Sequence, residues 1–196
     1  MILPVMQRIG LYGGSFDPVH LGHLLVAQAA CEEAGLERLF FVPAAQSPFK
    51  PDSKISPAAD RLRMLRLALA GKTNYEIDDQ EIRRGGVSYT IDTVRDYTKR
   101  FPKTELFYLI GADHVPSLGK WREAEALAKA VQFVVIPRPG EAEPKLSPPF
   151  RGQTLKGFPL GVSASQIRAR VKAGLPVDNL VPAAVAEAIR NYRLYL

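Results

Sequence analysis

The chain has little of what a metal or redox centre needs: one cysteine and three histidines in 196 residues. A lone Cys31 cannot form an internal disulfide, which fits a reducing cytoplasm. It shares a helical face with Leu24 and Ala27 and is expected in the core, as a small hydrophobe rather than a reactive thiol. No apolar run reaches the roughly 18 residues that cross a bilayer. The start, MILPVMQRIG, lacks a basic segment followed by a long apolar one, so no signal peptide is expected. Basic residues never form a run of five. The densest groups are RLR (61–63), RR (83–84) and RAR (168–170). With no aromatic-basic stripe beside them, the net charge of +6 does not mark a nucleic-acid surface. It remains compatible with small anionic substrates. Two nucleotide-binding signatures are missing, GxxxxGKS/T and GxGxxG.

What is present suits one folded domain spanning 1–196, with 46% hydrophobic and 23% charged residues. Strand-like and helix-like stretches alternate. Arg8 to Tyr12 is a short apolar strand, and Leu21 to Ala34 a helix closed by Gly35. RLFFVPA (38–44) is a continuous apolar run, as in a strand buried on both faces. Ser56-Pro57 offers an N-cap and a first-turn proline to a helix over Arg61 to Ala70. YEIDDQEI is a strand candidate, Thr90 to Phe101 a helix, ELFYLIGAD a strand, REAEALAKA a helix and VQFVVIP the last strand. The order predicts an α/β, Rossmann-like, doubly wound parallel sheet with helices on both faces. Residues 137–160, rich in Pro and Gly, are expected to be a surface connection, and 161–196 the helical end of the same domain.

In such sheets ligands bind at the carboxyl ends of the strands, near a switch in strand order. GGSF, SPFK, GAD and RPG all follow predicted strand ends. The densest of these places is GGSFDPVHLGH, residues 13–23. Gly13 and Gly14 allow a ligand close to the backbone. The helix that follows presents unpaired N–H groups and a partial positive charge, which favour phosphate. His20 and His23, three apart, can face the same way and donate to phosphate oxygens. Zinc would need two more ligands than this pair supplies, and Asp17 is the one nearby candidate, so no metal site is expected. A purely structural helix cap is the remaining local alternative. A second anion site is legible at SASQ (163–166), a capping box that opens a helix carrying Arg168.

HLGH resembles the (H/T)xGH signature of the nucleotidyltransferase superfamily, which includes the class I aminoacyl-tRNA synthetases. A lysine-rich second signature like KMSKS is absent. GGSFDPVHLGH, VPAAQSPFK, RLRMLRLAL, GGVSYTIDTV, ELFYLIGADHVPSLGKW, VVIPRPG, VSASQIRARV and LVPAAVAEAIRNYRLY follow in an order that resembles the bacterial nicotinate-mononucleotide adenylyltransferases. His114 stands where that family often has serine, and Ala164 in an often serine-rich stretch. The resemblance implies transfer of adenylyl from ATP to nicotinate mononucleotide, giving deamido-NAD and pyrophosphate, in the cytoplasm, with Mg²⁺ accompanying ATP.

It further implies that Gly13, Gly14, Ser15, Phe16, His20, His23, Ser163 and Arg168 meet ATP, with His20, His23 and Arg168 stabilising the transferred charge. Lys50 resembles a further phosphate-side lysine. Trp121 would stack on the nicotinate ring, Thr90 and the Arg122 backbone N–H would hold its carboxylate, and Asp113 is a candidate for ribose hydroxyls. Thr90 and Trp121 are each expected at the start of a helix. Alternatives are a related transferase using phosphopantetheine or nicotinamide mononucleotide, and a basic nucleic-acid-binding module on the same fold.

Overall fold

A computed structural model describes residues 6–49, 55–140, 144–157 and 160–196. Strand β1 (Gln7–Gly14) leads through α1 (Leu21–Ala34) to β2 (Arg38–Pro43), and through α2 (Ala58–Leu69) to β3 (Tyr75–Ile77). The chain then crosses back by α3 (Gln80–Arg84) and α4 (Thr90–Arg100) to β4 (Thr104–Gly111). A 3-10 segment (Ala112–Lys120) and α5 (Ala124–Ala130) lead to β5 (Gln132–Ile136), followed by β6 (Gly152–Thr154), α6 (Ala164–Lys172) and α7 (Ala183–Asn191). All strand pairs are parallel, in the order β3-β2-β1-β4-β5-β6. This is the expected doubly wound sheet, and strand order reverses between β1 and β4, so the switch point lies beside Gly13 and Gly14.

Alternation with period two sorts the strand residues into two cores. Tyr12, Leu39, Phe41, Phe107, Leu109 and Val134 pack with α1, α2, α6 and α7 on one face. Ile9, Leu11, Phe40, Val42, Leu106, Tyr108, Ile110, Phe133 and Val135 pack with α4, the 3-10 segment and α5 on the other. Among the described residues no helix is long and apolar enough to cross a membrane.

Four local expectations are corrected. YEIDDQEI is a strand only over Tyr75–Ile77, because the buried Asp78 carboxylate accepts from the Gln80 N–H at 3.0 Å and turns the chain into α3. The Pro/Gly-rich connection contains β6, a short edge strand whose sequence GQT carries no apolar signal. Ser56 does not cap α2. Pro57 occupies that position without a side-chain cap, and Ser56 gives its N–H to Asp17 instead. Trp121 does not begin a helix. It ends the 3-10 segment, and Glu123, at φ 54°, separates it from α5. Cys31 is half-buried against the core on α1, where Asn74 donates to its sulfur at 3.8 Å and burial pushes the thiol up to about 11.

Candidate active site

On the α1 face of the sheet, β1 delivers the chain past Gly13 and Gly14 into the first turn of α1. His20 is the N-cap and His23 the third helical residue. Their rings stack, with centroids 3.6 Å apart. The His20 backbone N–H donates to His23 Nδ1 at 3.1 Å. That acceptor role leaves the His23 proton on Nε2, as a donor. The reciprocal contact of this box turns the His20 side chain toward the His23 backbone N–H, with His20 Nδ1 buried and short of a full hydrogen bond among the described residues. A lone pair fits a position beside helix N–H groups and a proton does not, so the His20 proton is also assigned to Nε2. Burial lowers His20 from 6.5 to about 4. Burial, and then the neighbouring His20, put His23 well below the ordinary imidazole range. Both rings are therefore neutral donors at physiological pH.

Gly22 is the residue that lets this pair form. A Cβ there would sit 3.1 Å from the His20 ring and 3.1 Å from Val162. Val162 brings Ser163 and the start of α6 against the first turn of α1, so two helix N-termini converge. Ser163 caps α6 as expected, but its hydroxyl is spent on Gln166, so what it offers an anion is the helix end itself. Arg168 NH1 donates to the Asp17 carbonyl at 2.6 Å and NH2 to Ser165 Oγ at 3.3 Å. Ser15 is exposed. Phe16 is only 1% exposed and packs edge-on against His23 with centroids 5.0 Å apart, so it supports the imidazole and any ligand contact must come from its backbone.

Two charged residues hold this loop, Arg61, which sequence reasoning passed over, and Asp17, which it weighed only as a metal ligand. Arg61, 1% exposed, donates to the carbonyls of Ser15 at 2.8 Å, Ala44 at 2.9 Å and Ser56 at 3.1 Å. It was visible only as part of RLR, yet it lies on the buried face of α2 with Met64, Leu65 and Ala68, and an arginine at an apolar position is the signal that marks it. Asp17, also 1% exposed, accepts from the Ser56 N–H at 3.0 Å and the Tyr195 hydroxyl at 2.8 Å. Among the described residues no three His, Cys, Asp or Glu side chains gather as a metal cage.

The opposite face carries the other candidates. Tyr108 of β4 reaches up beneath Gly13, where a Cβ would meet its hydroxyl at 2.5 Å, and lies 3.3 Å from Thr90 Oγ1. Tyr108 thus joins the two sides, and burial pushes its hydroxyl upward, so it stays protonated. Thr90 is the first residue of α4. Neither its backbone N–H nor that of Arg122 has an acceptor among the described residues. Arg122 lays its guanidinium 4.7 Å over the Tyr89 ring and pairs with Asp92 at 3.5 Å, tying the turn after Trp121 to the start of α4.

Trp121 is half-buried, and its Nε1 is buried without a partner among the described residues. Phe49 and His114 complete an aromatic cluster around it, with Phe49 centroids 5.4 Å from Trp121 and 5.0 Å from His114. His114 is thereby placed beside Trp121, with ring centroids 5.8 Å apart. Asp113 stands beside Gly111 and pairs with Arg138 at 3.1 Å; burial alone would raise its carboxyl, but the Arg138 hydrogen bond together with the charges of His114 and Arg138 holds it below the usual range. The GGVSYT segment is strapped to the loop after β2 by Ser88, which accepts from Ala45 and donates to the Gln46 carbonyl, both at 2.9 Å. Lys50 lies outside the described residues.

Comparison with known proteins follows the same geometry. Residues 11–170 match the cytidylyltransferase-like family. The probable nicotinate-nucleotide adenylyltransferase of Opitutus terrae is 44% identical, over 96% of this chain and 98% of its own length. That of Dehalococcoides mccartyi strain 195 is 39% identical, over 97% and 98%. Among solved structures, the nicotinic acid mononucleotide adenylyltransferase of Plasmodium falciparum, complexed with NaAD, superposes with a TM-score of 0.80 at 18% identity, covering 96% of this chain and 97% of its own. At that identity the likeness speaks for the fold.

Proposed function

This chain belongs to the cytidylyltransferase-like family and, within it, to the nicotinate-nucleotide adenylyltransferases, and from that premise we propose how its residues carry out the reaction. It is a nucleotidyltransferase of NAD biosynthesis: the adenylyl group of ATP moves to nicotinate mononucleotide, yielding deamido-NAD and pyrophosphate. A phosphate oxygen of the mononucleotide attacks the α-phosphorus of ATP in line and the bond to the pyrophosphate breaks. The nucleophile is already an anion, so the protein supplies position and charge stabilisation rather than a base. The reading takes 1–196 as one catalytic domain acting in the cytoplasm on small-molecule substrates rather than nucleic acid.

The observation that carries the reading is the pair of stacked neutral imidazoles at the start of α1, beside the switch point of the sheet. Their Nε2–H groups, the two converging helix ends and Arg168 form a donor array suited to phosphate oxygens. Gly13 and Gly14 leave room for the Tyr108 hydroxyl and the Phe16 ring, which a Cβ would meet at 2.5 and 3.1 Å, so the transferring group would approach their backbone only. Mg²⁺ enters as part of the substrate, bound to ATP phosphates and water; it neutralises charge on the polyphosphate.

On the other face, Trp121 offers its ring to the nicotinate base. The face shared with Phe49 must be vacated for a stacked ring to enter there. The nicotinate carboxylate takes the free N–H groups of Thr90 and Arg122. Thr90 Oγ1 gives its proton to the Tyr108 hydroxyl at 3.3 Å, so what Thr90 offers the carboxylate is its backbone N–H. Asp113 stands at a strand end where ribose hydroxyls would fall.

An amide must turn an NH₂ group toward these donors. Each lost charge-assisted hydrogen bond costs roughly 1.5–3 kcal/mol, so two imply at least a hundredfold preference, about 3 kcal/mol, for the carboxylate. Pyrophosphate release from ATP with nicotinate mononucleotide, nicotinamide mononucleotide and phosphopantetheine in parallel tests this. The acid should give the highest kcat/KM. Equal values for acid and amide would overturn the carboxylate pocket, and turnover with phosphopantetheine alone would overturn the acceptor class.

A further inference from the structure

Asp17 sits in the middle of GGSFDPVHLGH, yet its carboxylate is spent entirely inside the protein. One oxygen accepts from the Ser56 N–H at 3.0 Å and the other from the hydroxyl of Tyr195, the penultimate residue, at 2.8 Å. The carbonyl of the same residue is where Arg168 NH1 docks, at 2.6 Å. Burial, and the Asp17 carboxylate after it, push the Tyr195 hydroxyl upward, so it remains a donor throughout the working pH range. A guanidinium has five N–H donors in a fixed fork; two positions are anchored here and the rest remain for a ligand.

We propose that Tyr195 is a positioning residue for the ATP side: by holding the Asp17 carboxylate it fixes the carbonyl that orients Arg168. The inference rests on the reading of Arg168 as a phosphate ligand. Tyr195 does two things that can be separated. Its ring packs on the core, which is structural. Its hydroxyl lies 3.8 Å from the Met64 sulfur and reaches Asp17, whose carbonyl is where Arg168 docks. Preorganising a rotamer-rich side chain removes an ordering cost that ATP binding would otherwise carry. Tyr195 is therefore part of the ATP site without touching ATP.

Y195F removes the hydroxyl and keeps the ring. The KM for ATP should rise roughly tenfold, the scale of one charge-assisted hydrogen bond, while the KM for nicotinate mononucleotide stays within about twofold. In an R168A background Y195F should add nothing further to the ATP effect, because the side chain it positions is gone. An unchanged ATP KM, an equal rise in both KM values, or the same factor in both backgrounds would overturn the proposal. Calorimetric binding of a non-hydrolysable ATP analogue to the same four proteins reads the inference independently of turnover. Absence of adenylyl transfer in the wild type would count against the proposed reaction, whereas an analogue affinity indifferent to Y195F would count against the role of Tyr195.

Discussion

On the α1 face of the sheet, Arg61 and Asp17 are each 1% exposed, and together they fix the loops after β1 and β2, the entry to α2, and the chain end. On the α4 face the pocket is lined by rings: Trp121 half-buried, Phe49 48% exposed and His114 between loops. The first region is held by charge-assisted hydrogen bonds to backbone and admits no adjustment. The second is held by ring contacts and by the more exposed Arg122–Asp92 and Arg138–Asp113 pairs, and among the described residues it keeps unpartnered donors at Thr90, Arg122 and Trp121. Phosphoryl transfer demands fixed in-line geometry, which suits the first; recognition of an exchangeable base tolerates the second.

The strongest way to break that contrast is Arg61→Met. It leaves three part-buried carbonyls without their donor and removes the buried positive charge beside Asp17, at an expected cost of about 3–5 kcal/mol. Urea unfolding measures it, and a loss below about 1 kcal/mol would mean the α1 face is not held this way.

His20→Ala or His23→Ala should lower kcat by roughly 10²–10³ while circular dichroism stays native, as when one preorganised donor is removed. Near-normal turnover in both variants would remove the phosphate side from the chemistry.

Acid should act on the first region as well. The unfolded chain protonates His20 near 6.5 and the folded chain only near 4, so the unfolded state binds more protons in between and stability falls as pH drops through that window. His20 alone contributes about 2 kcal/mol of loss by about pH 5. Urea midpoints across that range check it, and the slope should shrink in His20→Ala.

The smallest effect belongs to the ring-lined pocket. Trp121→Ala should raise the KM for either mononucleotide about tenfold, the lower part of the range for a stacked base, and leave the ATP KM in place. A larger shift in ATP KM than in mononucleotide KM would show that the two regions are not separate.

Much of the α1 side was legible in sequence, because its elements are local. GGSFDPVHLGH places glycines, helix start and imidazoles within one turn, and SASQ spells its own cap. Arg61, Asp17 and Tyr195 were not read together, because their contacts join residues brought close only by the fold. Hydrogen bonds over long separations leave no periodicity. The functional residues of the α4 side were legible only through resemblance: Thr90 and Trp121 carry no local signal, and the helix read in REAEALAKA is present but starts at Ala124, beyond Trp121. Strand β6 was hidden because an edge strand of three polar and small residues looks like a loop.

The bond between Asp17 and Tyr195 spans 178 residues, and that between Arg168 and Asp17 spans 151. During synthesis the amino-terminal half leaves the ribosome first, with the imidazoles and the glycine turn already translated. Arg168 and Tyr195 are translated 151 and 178 residues after Asp17, so the donor array is made well before the groups that clamp it. A nascent chain therefore carries the array in an unclamped form until both have left the exit tunnel.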